Sequence, residues 1–157
     1  MKIREIKKNE LSKIFPLAKE FIEDYRKITK PKKCVTIETA LKNKKRIFTN
    51  DLKKGTGNII VAEKDEEFIG YIFVLSFIPG IQKSDNRQGY ISDLYIQKEF
   101  RKKKIAQKLS KEAEKWLKKK KINEIILDVN IVNINAKKLY LKLNYKEESI
   151  RMSKKLK

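Results

Sequence analysis

Apolar residues along this chain switch between a two-residue and a helical spacing, and the switches mark alternating strands and helices. Lys2–Ile6 reads as a short first strand. From Asn9, a residue type that caps helix N-termini, the residues Leu11, Ile14, Phe15, Ala18, Phe21, Ile22 and Tyr25 recur on one helical face. The loop Thr29–Val35 contains Pro31 and three lysines. Thr36 then caps a second helix that turns Ile37, Ala40, Leu41, Ile47, Phe48 and Leu52 inward and ends near Gly55. Asn58–Glu63 and Phe68–Ile78 read as strands joined by the polar turn Lys64–Glu67, a hairpin signal. Pro79–Gly89, rich in proline, glycine and short polar residues, is a loop.

Beyond that loop, Tyr90, Ile91, Leu94, Tyr95 and Ile96 make a strand of β-branched, aromatic and aliphatic residues. Ile105, Leu109, Ala113, Trp116 and Leu117 form one helical stripe. A strand Glu124–Val129, a helix from about Asn135 to Leu143 and a last strand within Lys146–Leu156 complete the chain. The order β-α-α-β-β-β-α-β-α-β predicts an α+β (mixed α/β) fold. Its length of 157 residues fits one domain, 1–157.

One junction stands out. Where the Tyr90 strand runs into the Ile105 helix, the helix leaves its first backbone N–H groups unpaired. The positive end of its dipole and four basic side chains, Arg101 to Lys104, are expected to converge there. Such a turn is suited to phosphate.

The turn resembles the Gln/Arg-x-x-Gly-x-Gly/Ala loop of GNAT N-acetyltransferases, with Arg101 first, Ala106 last and Lys104 where the family usually has glycine. Downstream, residues 127–145 resemble the GNAT segment L-x-V-x-x-x-N-x-x-A-x-x-L-Y-x-K-x-G-F. Asn133, Ala136, Leu139, Tyr140 and Lys142 match by type, and Asn144 replaces a glycine. Asparagine is the next most tolerant residue in the left-handed conformation that ends a helix. The resemblance covers roughly residues 58 to 145. It implies the GNAT fold, a mixed, mostly antiparallel sheet of about six to seven strands with four helices. It further implies acetyl-CoA as acetyl donor, with the pantetheine arm lying between splayed fourth and fifth strands against the backbone of Leu94, Tyr95 and Ile96. The pyrophosphate would meet Arg101, Lys102, Lys103, Lys104, Ile105, Ala106 and Gln107, and Asn133 would also serve the cofactor. Lysine in place of glycine costs about 1 kcal/mol if φ at residue 104 is positive, and nothing otherwise.

Acetyl transfer to an amine requires loss of an amine proton, stabilisation of the thioester oxygen and protonation of the departing thiolate. A phenol stays protonated at neutral pH and can donate, and the resemblance assigns that role to Tyr140. On its own stripe, Ala136–Leu139–Tyr140–Leu143, the same tyrosine also fits as core. Asp128 and Asp93 lie in apolar strand contexts, IILDV and YISDLYI. Desolvation there would raise a carboxyl pKa towards the range of a base. Each also fits as a hydrogen-bonded structural aspartate, and a chain of waters could carry the proton instead.

Composition narrows the classes. No apolar run reaches the length of a membrane helix, and the N-terminus lacks the apolar core of a signal peptide. Cys34 is the only cysteine and there is no histidine, so an internal disulfide and a His/Cys metal site are excluded; this suits a reducing cytoplasm. The net charge of +20 suggests anionic partners, coenzyme A or nucleic acid. The lysines are spread along the chain, which favours a lysine-rich surface over a dedicated nucleic-acid face. The functional reading is an acetyl-CoA-dependent N-acetyltransferase for a primary amine, on a protein N-terminus, a lysine or a small molecule. The competing reading is a catalytically degenerate GNAT-fold module that attaches to RNA or the ribosome through its basic surface. A homodimer stays open.

Overall fold

The computed structural model describes residues 1–77 and 88–154. In chain order it runs β1 (Lys2–Glu5), a 3-10 segment Lys8–Ile14, α1 (Phe15–Thr29), α2 (Ile37–Lys54), β2 (Gly57–Lys64) and β3 (Glu67–Leu75). Then come β4 (Gln88–Ile96), a 3-10 turn Lys98–Phe100, α3 (Ile105–Lys119), β5 (Glu124–Ile126) and α4 (Ile134–Lys142). Among the described residues four helices thus accompany one mixed sheet in the order β1-β2-β3-β4-β5. Neighbours are antiparallel except for the parallel β4–β5 pair.

Helix α1 starts later than the periodicity suggests, and the cause is Pro16. Proline cannot donate to the carbonyl of Ser12, so an α-helix begun at Asn9 would break there. The segment before it is 3-10 instead, and Pro16 sits in the first turn of α1, where its missing N–H costs nothing. The N-cap also moves. Lys7 begins the 3-10 segment, its backbone N–H donates to Glu10 at 2.9 Å, and Asn9 is exposed without a capping role. For α2 both ends fall as expected: Thr36 accepts from the Thr39 N–H, and Gly55 closes the helix at φ 68°. The hairpin also holds, through Asp65 and Glu66 in left-handed conformations between paired Lys64 and Glu67.

The sheet carries a core on each face. Below α1 and α2 lie Ile59, Val61, Phe68, Tyr71, Phe73, Leu75 and Tyr95, with Ile14, Leu17, Ala18 and Phe48 from above. On the other face Ile60, Ala62, Ile72, Val74 and Ile91 meet Ile105, Leu109, Ala113 and Leu117 of α3. Each fully buried aliphatic side chain contributes about 1.5–3 kcal/mol. Two positions assigned inward are exposed, Tyr25 and Ile47, at the margins of their helical stripes.

Among the described residues fewer strands form than expected. Strand β3 ends at Leu75, and the loop assigned to Pro79–Gly89 lies mostly outside the described residues, with β4 already begun at Gln88. Strand β5 stops at Ile126, three residues short of Val129. Among the described residues the sheet has five strands, because Lys146–Lys154 joins no ladder. Its two strand-like apolar residues, Ile150 and Met152, are 77% and 89% exposed and so bury nothing that would order a strand.

Candidate active site

A register shift decides which side chains share a face of β4. Phe73 pairs with Asp93 and Val74 with Ile91, so Ser92 is an extra, unpaired residue, a β-bulge. Before it, Tyr90 faces the α1/α2 core and Ile91 faces α3. After it the parity inverts, with Asp93 and Tyr95 facing α1/α2 and Leu94 and Ile96 facing α3. The bulge therefore brings Tyr90 and Asp93 onto one face.

The β4–β5 ladder ends at the pair Tyr90–Ile126. From Ile91 onward, no strand lies beside the β5-facing edge of β4 among the described residues. The side chains of Leu94, Tyr95 and Ile96 are packed, which leaves their backbone as the part open to a ligand. Part of that edge is already used, since Arg101 Nε donates to the Ile96 carbonyl at 2.8 Å.

The edge leads into the basic turn. Lys102 and Lys104 both take left-handed conformations, φ 63° and 59°, with Lys103 between them. Alternating handedness turns successive N–H groups towards one side, a nest for anions. Residues 102–107 donate no backbone N–H to any of the hydrogen bonds formed outside helices and strands among the described residues, and Lys104 itself is the N-cap of α3. Ile105 is fully buried core, Ala106 half-buried and Gln107 exposed, so this stretch can offer a phosphate its backbone.

The four basic side chains do not converge. Arg101 turns away to α1, where its Nη2 donates to Asp24 at 2.9 Å and its guanidinium lies over Tyr95. Burial alone would raise the Asp24 carboxyl, yet the hydrogen bonds from Arg101 and Lys98 hold it below its usual range. Lys103 covers Phe100, and only Lys102 and Lys104 project freely from the turn.

The two candidate carboxylates have opposite surroundings. Asp93 is 2% exposed; both its oxygens lie 2.7 Å from Lys44 Nζ, and it also accepts from Tyr71 Oη at 3.0 Å and Ser92 Oγ at 3.2 Å. It is saturated. Asp128 lies beyond the end of β5 and is exposed, so the desolvation expected from its apolar neighbours does not occur. Its Oδ2 accepts from Tyr90 Oη at 3.0 Å across the mouth of the strand gap. Burial first, and then Asp128, push the Tyr90 phenol up to about 12.

Tyr140 is half-buried on α4 beside Tyr145, with ring centroids 5.4 Å apart. Its hydroxyl has no protein partner among the described residues. Burial, then the neighbouring Tyr145, Asp93 and Tyr90, push its pKa well upward. Asn133 caps α4, its Oδ1 accepting from the Ala136 N–H at 3.2 Å. Asn144 ends that helix at φ 66°, the left-handed conformation expected of it.

Sequence reasoning missed Lys44, which lies 49 positions from Asp93 with no motif to link them. It also missed the carboxylates of α1. Glu20, Glu23 and Asp24 line a cleft of about 320 Å³ beside Tyr95 and Gln97, where Glu20 accepts from Tyr95 Oη at 3.0 Å. No group of three or more His, Cys, Asp or Glu side chains is placed to hold a metal ion among the described residues, and no described helix is long and apolar enough to cross a membrane.

The sequence pattern of the Acetyltransferase (GNAT) family matches residues 17–145. No curated relative matches the chain. Among solved structures, AAC(6')-Iy in complex with a bisubstrate analogue, CoA-S-monomethyl-acetylneamine, is similar at TM-score 0.73 and 18% identity, covering 99% of this chain and 97% of that one. The aminoglycoside 6'-N-acetyltransferase AAC(6')-Ig of Acinetobacter haemolyticus is similar at TM-score 0.70 and 17% identity over all of both chains. A variant of the BH1408 protein of Bacillus halodurans reaches TM-score 0.76 at 19% identity, covering 99% of each chain. At these identities the likeness is one of fold, and it agrees with the family match over most of the length. The chain belongs to the GNAT acetyltransferase family.

Proposed function

We propose that this protein is an acetyl-CoA-dependent N-acetyltransferase acting on a primary amine. One observation carries the reading: the strand edge left open after Tyr90–Ile126 runs directly into a left-handed turn whose N–H groups and helix terminus are free for phosphate. An extended arm with amide groups fits the edge, and a pyrophosphate fits the turn. When bound, acetyl-CoA supplies the activated acetyl group. The bisubstrate complex of the similar AAC(6')-Iy supports a donor of this kind in this fold.

The residues then divide the chemistry. Tyr140, kept protonated by its surroundings, donates to the departing thiolate from α4. Asp128, open to solvent with Oδ2 held by Tyr90, takes the amine proton through water and passes it outward. Asp93 does not act as base in the arrangement observed, because Lys44 and Tyr71 already occupy its oxygens. Lys102 adds charge beside the phosphates, Lys104 holds the left-handed bend of the turn, and Asn133 sets the start of α4 and thereby the position of Tyr140.

Thermal melting with and without acetyl-CoA, followed by free-thiol release across an amine panel, tests the reading. A ligand that binds only the folded state stabilises it by about 2.7 kcal/mol at one hundred times its dissociation constant. A melting temperature unmoved by millimolar acetyl-CoA would remove the basis of the proposal.

A further inference from the structure

Lys44 reaches from α2 into the α1/α2 face of β4 and ends in a cage of unusual make-up. Its ammonium bridges both oxygens of Asp93 at 2.7 Å and lies 4.9 Å from the centre of the Phe21 ring and 5.5 Å from that of Phe48. Tyr71 Oη completes the carboxylate's shell at 3.0 Å. A carboxylate flanked by aromatic faces binds a primary ammonium through charge, hydrogen bonds and cation–π attraction together. The Lys44 side chain is 18% exposed, so the cage communicates with solvent.

The cage also stands where an acceptor has to arrive. The α3 face of β4 is closed by Leu94 and Ile96 packed into the helix, and the open edge is the place for the donor's arm. That leaves the face with Tyr90 and Asp93, on which Lys44 sits. The Ser92 bulge puts Asp93 on the same face as Tyr90, whose hydroxyl donates to Asp128, the proton acceptor proposed above. A buried carboxylate keeps a cation beside it, because losing the partner strands its charge. Exchange of one ammonium for another preserves the balance, whereas a neutral molecule cannot displace Lys44 on such terms.

We propose that this cage is the acceptor's ammonium subsite: the incoming primary ammonium docks on Asp93 between Phe21 and Phe48 by displacing Lys44, a tethered placeholder that otherwise fills it. The inference rests on the acetyltransferase reading above and adds how the acceptor is recognised. Once docked, the ammonium gives one proton through water to Asp128 and solvent. Its nitrogen bonds to the acetyl carbon, the carbon–sulfur bond breaks, and the thiolate takes the Tyr140 proton. The nitrogen's second surplus proton leaves to solvent, from which Tyr140 is reprotonated. Selection for charge at the cage makes the enzyme specific for amines that reach it protonated.

Lys44→Ala tests this, because the atoms it removes have the outline of a propylammonium ion. With acetyl-CoA and propylamine, Lys44→Ala should form N-propylacetamide with saturation and faster than the wild type, in which propylammonium must first displace the tethered lysine. Propylammonium, and not 1-propanol, should raise the melting temperature of the variant. If the variant does not fold alone, refolding in propylammonium chloride serves as the same measurement. Lys44→Asn, whose side chain stops two atoms short of the ammonium position and so leaves room for methylammonium beside Asp93, provides a second background. Stabilisation by propylammonium without acetylation above the wild-type rate overturns the proposal, since the cage then holds a cation for the fold alone. No stabilisation and no product overturns it as well. Acetyl-CoA binding is read separately from its own melting shift: if acetyl-CoA stabilises the variant while propylamine goes unacetylated, this inference falls and the enzyme reading stands.

Discussion

Tyr90 donates to Asp128 at 3.0 Å across the point where β4 and β5 part, joining the last paired residue of one strand to the exposed carboxylate beyond the other. This contact fixes one carboxylate oxygen and leaves the other to water. Asp128→Asn should lower turnover by about 10²-fold, the scale of a lost proton acceptor, with acetyl-CoA affinity unchanged. Tyr90→Phe keeps the carboxylate and should cost less. Equal losses in the two variants would mean that the hydrogen bond matters and the proton acceptor does not.

Lys104 holds φ 59° without being glycine, which costs about 1 kcal/mol. Lys104→Gly should therefore raise the melting temperature by about 2–4 °C and tighten acetyl-CoA binding. Titrations at several salt concentrations check the second half. A weaker affinity with a flatter salt dependence would show instead that the ammonium contacts phosphate.

Arg101 occupies the first position of the phosphate-turn motif but spends its charge on Asp24. Arg101→Gln and Asp24→Asn should weaken acetyl-CoA binding to a similar, modest degree, by loosening the turn. Neither should change the salt dependence of binding, which isothermal titration would detect. A large loss confined to Arg101→Gln would assign the guanidinium to the pyrophosphate.

Tyr140→Phe keeps the ring packed edge-to-face against Tyr145 and removes only the hydroxyl. Turnover should fall by about 10²-fold while acetyl-CoA affinity and melting temperature barely move. The sign of its pH dependence is fixed: a tyrosine whose folded pKa lies above the ordinary 10.0 keeps its proton as pH rises through 10 and loses it only beyond. The alkaline decline in turnover due to this acid should therefore begin above pH 10, and any earlier decline should persist in Tyr140→Phe. Intact turnover with lowered stability would make the tyrosine core.

Much of this architecture was legible because local chemistry and tertiary packing agree. Thr36 and Gly55 bound α2 through side-chain and backbone preferences that need no partner, and Asn144 takes its left-handed conformation for the same kind of reason. What escaped depends on distant contacts. The bulge at Ser92 inverts the alternation of β4, so counting by twos from Tyr90 puts Asp93 on the wrong face. Apolar neighbours in sequence gave no warning that Asp128 is exposed, because the strand ends two residues earlier. Pro16 is a local break signal that the strong helical period around it masks. The final strand had the alternation but nothing to bury.

Amide hydrogen exchange with and without acetyl-CoA tests the central claim most directly, because the site is built mainly from backbone. Binding should slow exchange in two stretches together, residues 102–107 at the turn and 91–96 along the open edge of β4, with little change in β1 to β3. Protection elsewhere, or none in these two stretches despite measurable binding, would contradict the account.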